Sequence, residues 1–310
     1  MIGKESTVHA TQTADEQADV HVISPDVSTA RRAFRYDLVL ATIIKYAILL
    51  LVTAIVMAPV ATAILGSMRT TGEFLARPFG LPRNGIQWTN YTNILESDSF
   101  WTATKNSLII TVGVAGINIV LASMLAFAFS RVRFFGRGLV FNILSFGLLF
   151  PLVVAILPLF IQIREFGLID NLWGIILPLV AFTLPYSVVI LRNFFIAIPS
   201  ELEDAAYIDG CTTLGFFRRI LIPIARPGLA AVATLNVVAA WNEYFLPLLV
   251  LTREDKWPLP LGIMQFQGQF GTEWALVMAY VVILMVPALI FYMFAERYIV
   301  TGLTGGELKG

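Results

Sequence analysis

The chain has 310 residues, 57% hydrophobic and 14% charged, with 21 basic side chains against 21 acidic ones. Soluble domains are about half apolar and about a quarter charged. A mean hydropathy of +0.78 therefore reads as a polytopic membrane protein, and the zero net charge excludes the basic surplus of a nucleic-acid binder.

In chain order, Met1 to about Ser28 is polar and lacks an apolar run, so it reads as a disordered tail and not as a signal peptide. We extend that tail to residue 35, through the basic collar Arg31, Arg32 and Arg35, and assign 36–310 to an all-α membrane domain. A bilayer-crossing helix needs about 20 apolar residues. Six segments qualify: about 46–66, 106–130, 139–163, 172–191, 228–251 and 275–295. The first is followed by a polar, aromatic-bearing stretch, Ser67 to Lys105. Gly113, Gly116, Ala122 and Ser123 give the second span small residues for close helix packing. Pro151, Pro158, Pro178, Pro185 and Pro287 predict kinks within spans. Lys45 reads as a snorkelling anchor at the edge of the first span.

The one cysteine, Cys211, excludes an internal disulfide and any cysteine-cluster metal site; it reads as a small residue packed at a turn. Both histidines, His9 and His21, lie in the tail. No Walker A sequence, dinucleotide glycine fingerprint or zinc motif is present, so ATP-driven work needs a separate subunit.

The longest polar piece of the second half is the loop 193–227. Within it Ser200 to Pro227 predicts helix, glycine turn, helix, stop. Ser200 and Glu203 have capping-box spacing, and Glu201, Glu203 and Asp204 suit the positive end of a helix. Leu202, Ala205, Ala206 and Asp209 fall on one face. Gly210 supplies a left-handed terminator. Thr213 is positioned to cap a second helix with the stripe Leu214, Phe217, Ile220 and Leu221, which Pro223 and Pro227 end.

Asp204-Ala205-Ala206-Tyr207-Ile208-Asp209-Gly210, followed by Ile220-Leu221-Ile222-Pro223, resembles the cytoplasmic EAA loop of ABC-importer permeases. Asp204 stands for the family's Glu, and Ile222 for its Leu. Paired alanines make a thin helix face suited to a groove. The resemblance implies ATPase coupling through Glu203, Asp204, Ala205, Ala206, Asp209 and Gly210.

Softer matches are Asn106-Ser107, Ala126-Phe127-Ala128, Trp241-Asn242-Glu243, Phe266-Gln267-Gly268-Gln269 and Gly302-Leu303-Thr304. Together they resemble the carbohydrate-importer branch that includes the maltose permease. This implies a type I importer permease fold in a prokaryotic cytoplasmic membrane. The implied partners are a second, similar permease, two copies of an ATPase and an extracytoplasmic sugar-binding protein. ATP and magnesium would be used by the ATPase, with no cofactor or metal bound by this chain, and no enzyme activity of its own.

Six spans put both termini on one side. The side holding the tail, Arg131, Arg133, Arg137 and the 193–227 loop carries more Lys and Arg than the side holding Arg69, Arg77, Arg83, Lys105, Arg164, Arg253 and Lys256, which marks the former as cytoplasmic.

Glu243 is the ionisable residue most clearly set within a span, where a charge costs about 3 kcal/mol on insertion scales. With Asn236, Trp241 and Asn242 it forms a pore-lining cluster that touches substrate, or else it is a polar contact between helices or an interfacial residue near the outer end. Gln265, Gln267 and Gln269, in the outer loop before the last span, belong either to a binding-protein contact, as the resemblance implies, or to a solvated hairpin. The alternative function is an ion- or proton-coupled secondary transporter, for which a single intramembrane acid is thin support. An intramembrane enzyme lacks a histidine or an acid pair at membrane depth.

Overall fold

The structure is a computed structural model that describes residues 27–83, 85–268 and 271–304, with side chains described between 40 and 293. It divides into two compact units, residues 1–58 and 59–310. Residues 1–26 of the expected tail lie outside the described residues.

The first helix, α1 (Val27–Ser67), begins before the expected boundary and takes in residues 27–35, which the composition had assigned to the tail. Its stretch Leu40–Ser67 is long and apolar enough to span a bilayer. The polar stretch after it is helical in part, with α2 (Thr71–Ala76) and α3 (Thr89–Leu95). The expected second span is the interior of α4 (Asp98–Arg131), which starts eight residues early.

The expected third span is broken. Here α5 (Arg137–Phe146) and α6 (Leu152–Glu165) meet at 102° around Phe150 and Pro151. Pro151 donates no hydrogen bond and biases Phe150 to extended backbone, so the helix stops at that point. Pro158 lies within α6, as Pro178 and Pro185 lie within α7 (Trp173–Ala197).

The polar loop forms α8 (Glu201–Ile208) and α9 (Thr213–Phe216). A π-turn, Phe217–Leu221, runs on into α10 (Ile222–Ile224). Proline clashes with the carbonyl four residues before it, and the wide turn ahead of Pro223 relieves this. After a 76° bend comes α11 (Arg226–Trp241), with Pro227 in its first turn. The expected fifth span ends early: α11 stops at Trp241, and α12 (Phe245–Val250) resumes after a break. An outer loop with α13 (Leu259–Gly262) and a short ladder, β1 (Gln267–Gly268) with β2 (Gly271–Thr272), leads to α14 (Trp274–Thr304). Gln267 pairs with Thr272 in that ladder.

Among the described residues four helices span by length and apolarity, or six if each bent pair counts as one. Helices α4, α7, α11 and α14 pack together. A core of Val114, Ile175, Leu179, Leu246 and Val250 lies toward the end of α4 nearest the outer loop. A second, of Ala122, Ala126, Phe129, Val188, Leu191, Phe195 and Val232, lies at the end that carries α8. Small residues set the spacing. A Cβ on Gly113 would meet Ile176 at 3.0 Å, and one on Gly228 would meet the Phe194 ring at 2.6 Å. Gly116, grouped with Gly113 from sequence, has no such neighbour.

Candidate functional site

The 200–227 loop is built around a helix stop. Gly210 adopts φ +78°, as the sequence predicts. Its amide donates to the Tyr207 carbonyl at 3.0 Å, and the Cys211 amide to the Ala206 carbonyl at 2.8 Å. These two bonds form a Schellman turn, which satisfies carbonyls that the end of α8 would otherwise leave open. Cys211 is partly buried at this turn.

The start of α8 differs from expectation. Ser200 is helical, and its hydroxyl caps nothing. The Glu203 carboxylate turns elsewhere: Oε2 lies 3.4 Å from Arg131 Nη1, and Oε1 accepts from the Tyr207 hydroxyl at 2.9 Å. With both oxygens engaged by the guanidinium and the phenol, the carboxylate does not turn back to the Ser200 amide. The next helix is capped by Thr212 and not Thr213, with the Gly215 amide donating to its hydroxyl at 3.1 Å.

The two faces of this loop separate. Ala206 and Phe216 are buried in the same core as Phe129 and Phe195. Leu202, Ala205, Asp204 and Asp209 are exposed, and so are Ile208 (86%) and Leu214 (72%). The expected stripe therefore shifts: Leu214 faces outward and Phe216 takes its place inside. Exposed apolar side chains on a polar loop are the part of this site fit to meet another protein.

Two arginines that the sequence reading counted only as charge are structural members of the site. Arg131 Nη2 donates to the carbonyls of Phe195 at 2.7 Å and Ile198 at 2.5 Å. Arg192 Nε donates to the Phe129 carbonyl at 3.3 Å, and its guanidinium sits 4.3 Å from the Phe141 ring centre. The available signal was position: each lies at or near the end of an apolar run.

The four residues read as a pore-lining cluster or as a polar contact do not all sit together in the structure. Asn236 is fully buried between helices. Its amide donates to Ser187 Oγ at 3.1 Å, Asn118 Oδ1 at 3.3 Å and the Val232 carbonyl at 2.8 Å. Asn118 in turn donates to Thr183 Oγ1 at 2.8 Å, so the cluster ties α4, α7 and α11. Asn236 thus takes the helix-contact role. Glu243 is not inside a helix: it lies in the break after α11, where its Oε1 accepts the Leu246 amide at 3.0 Å and caps α12. Trp241 and Asn242 do share a place. Both line an apolar groove of about 550 Å³ with Thr111, Val238, Met285 and Tyr292. Within it the Asn242 amide donates to the Val238 carbonyl at 2.8 Å, and the buried Trp241 N–H has no partner among the described residues.

The outer loop is pinned by its own chain. Gln265 accepts from Ser99 Oγ at 2.8 Å, Gln267 is exposed in β1, and Gln269 lies outside the described residues. Asn106 Nδ2 donates to the carbonyls of Asp255 at 3.0 Å and Trp257 at 3.1 Å, which gives the Asn106-Ser107 match a scaffold role. Asp170, at φ 56°, accepts from Thr252 Oγ1 and N, each at 2.6 Å, and from Arg253 N at 2.9 Å. The Thr252 hydroxyl and the Arg253 amide hold its carboxyl below the usual aspartate range. No group of acids, histidines and cysteines among the described residues could hold a metal.

A helical bundle of apolar spans, with one polar two-helix loop seated on its end, defines a multi-pass membrane protein of the transport type. The family model for the "binding-protein-dependent transport system inner membrane component" matches residues 118–303, and the chain belongs to that family. It is 34% identical over 268 residues to the diacetylchitobiose uptake system permease protein NgcG of Streptomyces coelicolor, covering 86% of this chain and 88% of that one. It is 35% identical over 227 residues to the trehalose transport system permease protein SugB of Mycobacterium tuberculosis, covering 73% and 83%. A chain in the crystal structure of a bacterial ABC transporter that imports the acidic polysaccharide alginate matches with a TM-score of 0.74 at 25% identity. That match covers 84% of this chain and 96% of the other. The protein is therefore an ABC-importer permease of the carbohydrate branch, a transport subunit and not an enzyme.

Proposed function

We infer that this chain forms one half of the translocation pore of a sugar or oligosaccharide importer. A second permease supplies the other half, and separate ATPase subunits drive α8 from the cytoplasm. One observation carries this reading. The loop that resembles the coupling loop presents Leu202, Ala205, Ile208 and Leu214 to solvent while Ala206 and Phe216 are anchored in the core of the spans. Such a helix can be gripped on one side and transmit movement on the other.

Docking of a solute-loaded binding protein and closure of the ATP-bound ATPase favour the outward-open pore. Solute then enters the cavity, and hydrolysis reopens the cytoplasmic side. The distribution of Lys and Arg supports a cytoplasmic position for both termini and α8. The broken α5–α6 pair supports a second permease, because a helix break at membrane depth needs protein or water around it. Glu243 is engaged as a cap, which weighs against a gradient-driven carrier.

The test is co-purification of the tagged chain with an ATPase and a solute-binding protein from its own cells. ATP hydrolysis is then measured in proteoliposomes with diacetylchitobiose, trehalose and arabinooligosaccharides, the solutes named for its relatives. Stimulation by one of them is expected. Uptake by the chain alone on an ion gradient, with no nucleotide, would overturn the reading.

A further inference from the structure

The geometry points to Arg131 as the positioning residue that makes α8 move with the spans. This inference rests on the reading of α8 as the helix pushed by an ATPase, and deepens it. The covalent chain joins α8 to α7 through residues 198–200 and to α9 through the Gly210 turn. A short non-helical joint of that kind constrains the rotation of α8 less than a continuous helix would. The apolar seat of Ala206 and Phe216 adds contact without direction.

Arg131 adds direction. It is the last residue of α4, and its side chain is 9% exposed. One guanidinium holds three helices: its own α4, the end of α7 through the Phe195 and Ile198 carbonyls at 2.7 and 2.5 Å, and α8 through Glu203 at 3.4 Å. Both carbonyls lie at the end of α7, where the helix dipole favours a cation; that of Phe195 also accepts the Ile198 amide at 3.3 Å. Glu203 is itself held from the far side by the Tyr207 hydroxyl at 2.9 Å, and is 15% exposed. The planar fork reaches these acceptors through Nη1 and Nη2, while its buried Nε has no partner among the described residues; an ammonium offers one point of charge. Among the described residues only Arg131 carries an ion pair between α8 and a span. A torque on α8 therefore reaches α4 and α7 together.

The experiment uses the full importer, assembled with its ATPase, in nucleotide-free and ATP–vanadate states. Nitroxides at Met124 on α4 and Glu201 on α8, both exposed, report the distance between the helices. The otherwise unaltered chain should give one narrow distance in each state. Arg131→Gln and Glu203→Gln should each broaden it roughly twofold, with Arg131→Lys between, as a locally freed helix samples more positions. A role confined to folding would leave assembled variants with narrow distances, and that result overturns the proposal. Should Arg131→Gln fail to assemble, Glu203→Gln decides alone, since it leaves the guanidinium on α7. An Ile208→Cys cross-link to the ATPase separates the two claims. Its absence in the otherwise unaltered importer sinks the reading of α8. Its presence, with narrow distances in the variants, sinks only the Arg131 clamp.

Discussion

Gly210→Val tests the turn on which the loop depends. The glycine sits at φ +78°, and a Cβ there would meet nothing within 4 Å, so the penalty is conformational and not a clash. Placing an L-residue in the left-handed region costs about 1–2 kcal/mol, and a β-branched one is worse placed still. About 2 kcal/mol changes a local equilibrium by roughly thirtyfold. The bonds at stake are Gly210 N to Tyr207 O at 3.0 Å and Cys211 N to Ala206 O at 2.8 Å. Opening them frees α8 from the next helix while leaving the spans untouched. Asparagine tolerates this backbone better than alanine or valine. The expected order of ATP hydrolysis stimulated by solute-loaded binding protein is Gly, Asn, Ala, Val, with Val lower by about an order of magnitude. Membrane insertion, read by protease protection, should be equal across the series. Stimulation by the Val variant equal to that of Asn would refute the reasoning, since strain could not then be the cause.

Two further outcomes follow from the buried and exposed polar clusters. Asn236→Ala removes the amide that donates to Asn118, Ser187 and the Val232 carbonyl, three contacts shared by two N–H groups. Individual bonds between membrane helices average about 0.6 kcal/mol and reach about 1.7, so SDS-titrated unfolding should show a loss of about 1–2 kcal/mol; no loss would mean the cluster adds nothing. Asp170 makes the outer loop sensitive to acid. Its folded pKa lies below the ordinary aspartate value of 3.8, so the stabilisation is fully present above that pH and is lost as pH falls through the lower, folded value. Fluorescence of Trp257, whose indole donates to the Leu251 carbonyl at 3.2 Å, should change with a midpoint below 3.8 and become pH-insensitive there in Asp170→Asn. A midpoint at or above 3.8 would contradict the hydrogen-bond assignment.

Much of the architecture is a property of local sequence. Apolar runs of bilayer length located the spans, because no water is present there to satisfy an open backbone. Gly210 announced its turn, because few other residues adopt positive φ at low cost. Membership of the importer permeases rested on residues close together in the chain, so it too was legible.

Whatever depended on partners distant in sequence was settled by the tertiary structure. Glu203 has the spacing of a cap, but Arg131, 72 residues away, takes its carboxylate. Asn236 and Glu243 both read as polar residues of one span. The fold buries the first against Asn118 and places the second in a break where it caps the next helix. Proline at 151 predicted a kink, while the 102° angle is visible only in the folded chain. The linear pattern determines where helices form, since that is set by neighbours three and four residues apart, while the early start of α4 and the break after Trp241 appear only in the fold. Which side chains meet is decided only when helices pack, because that free energy belongs to contacts between residues the chain holds far apart.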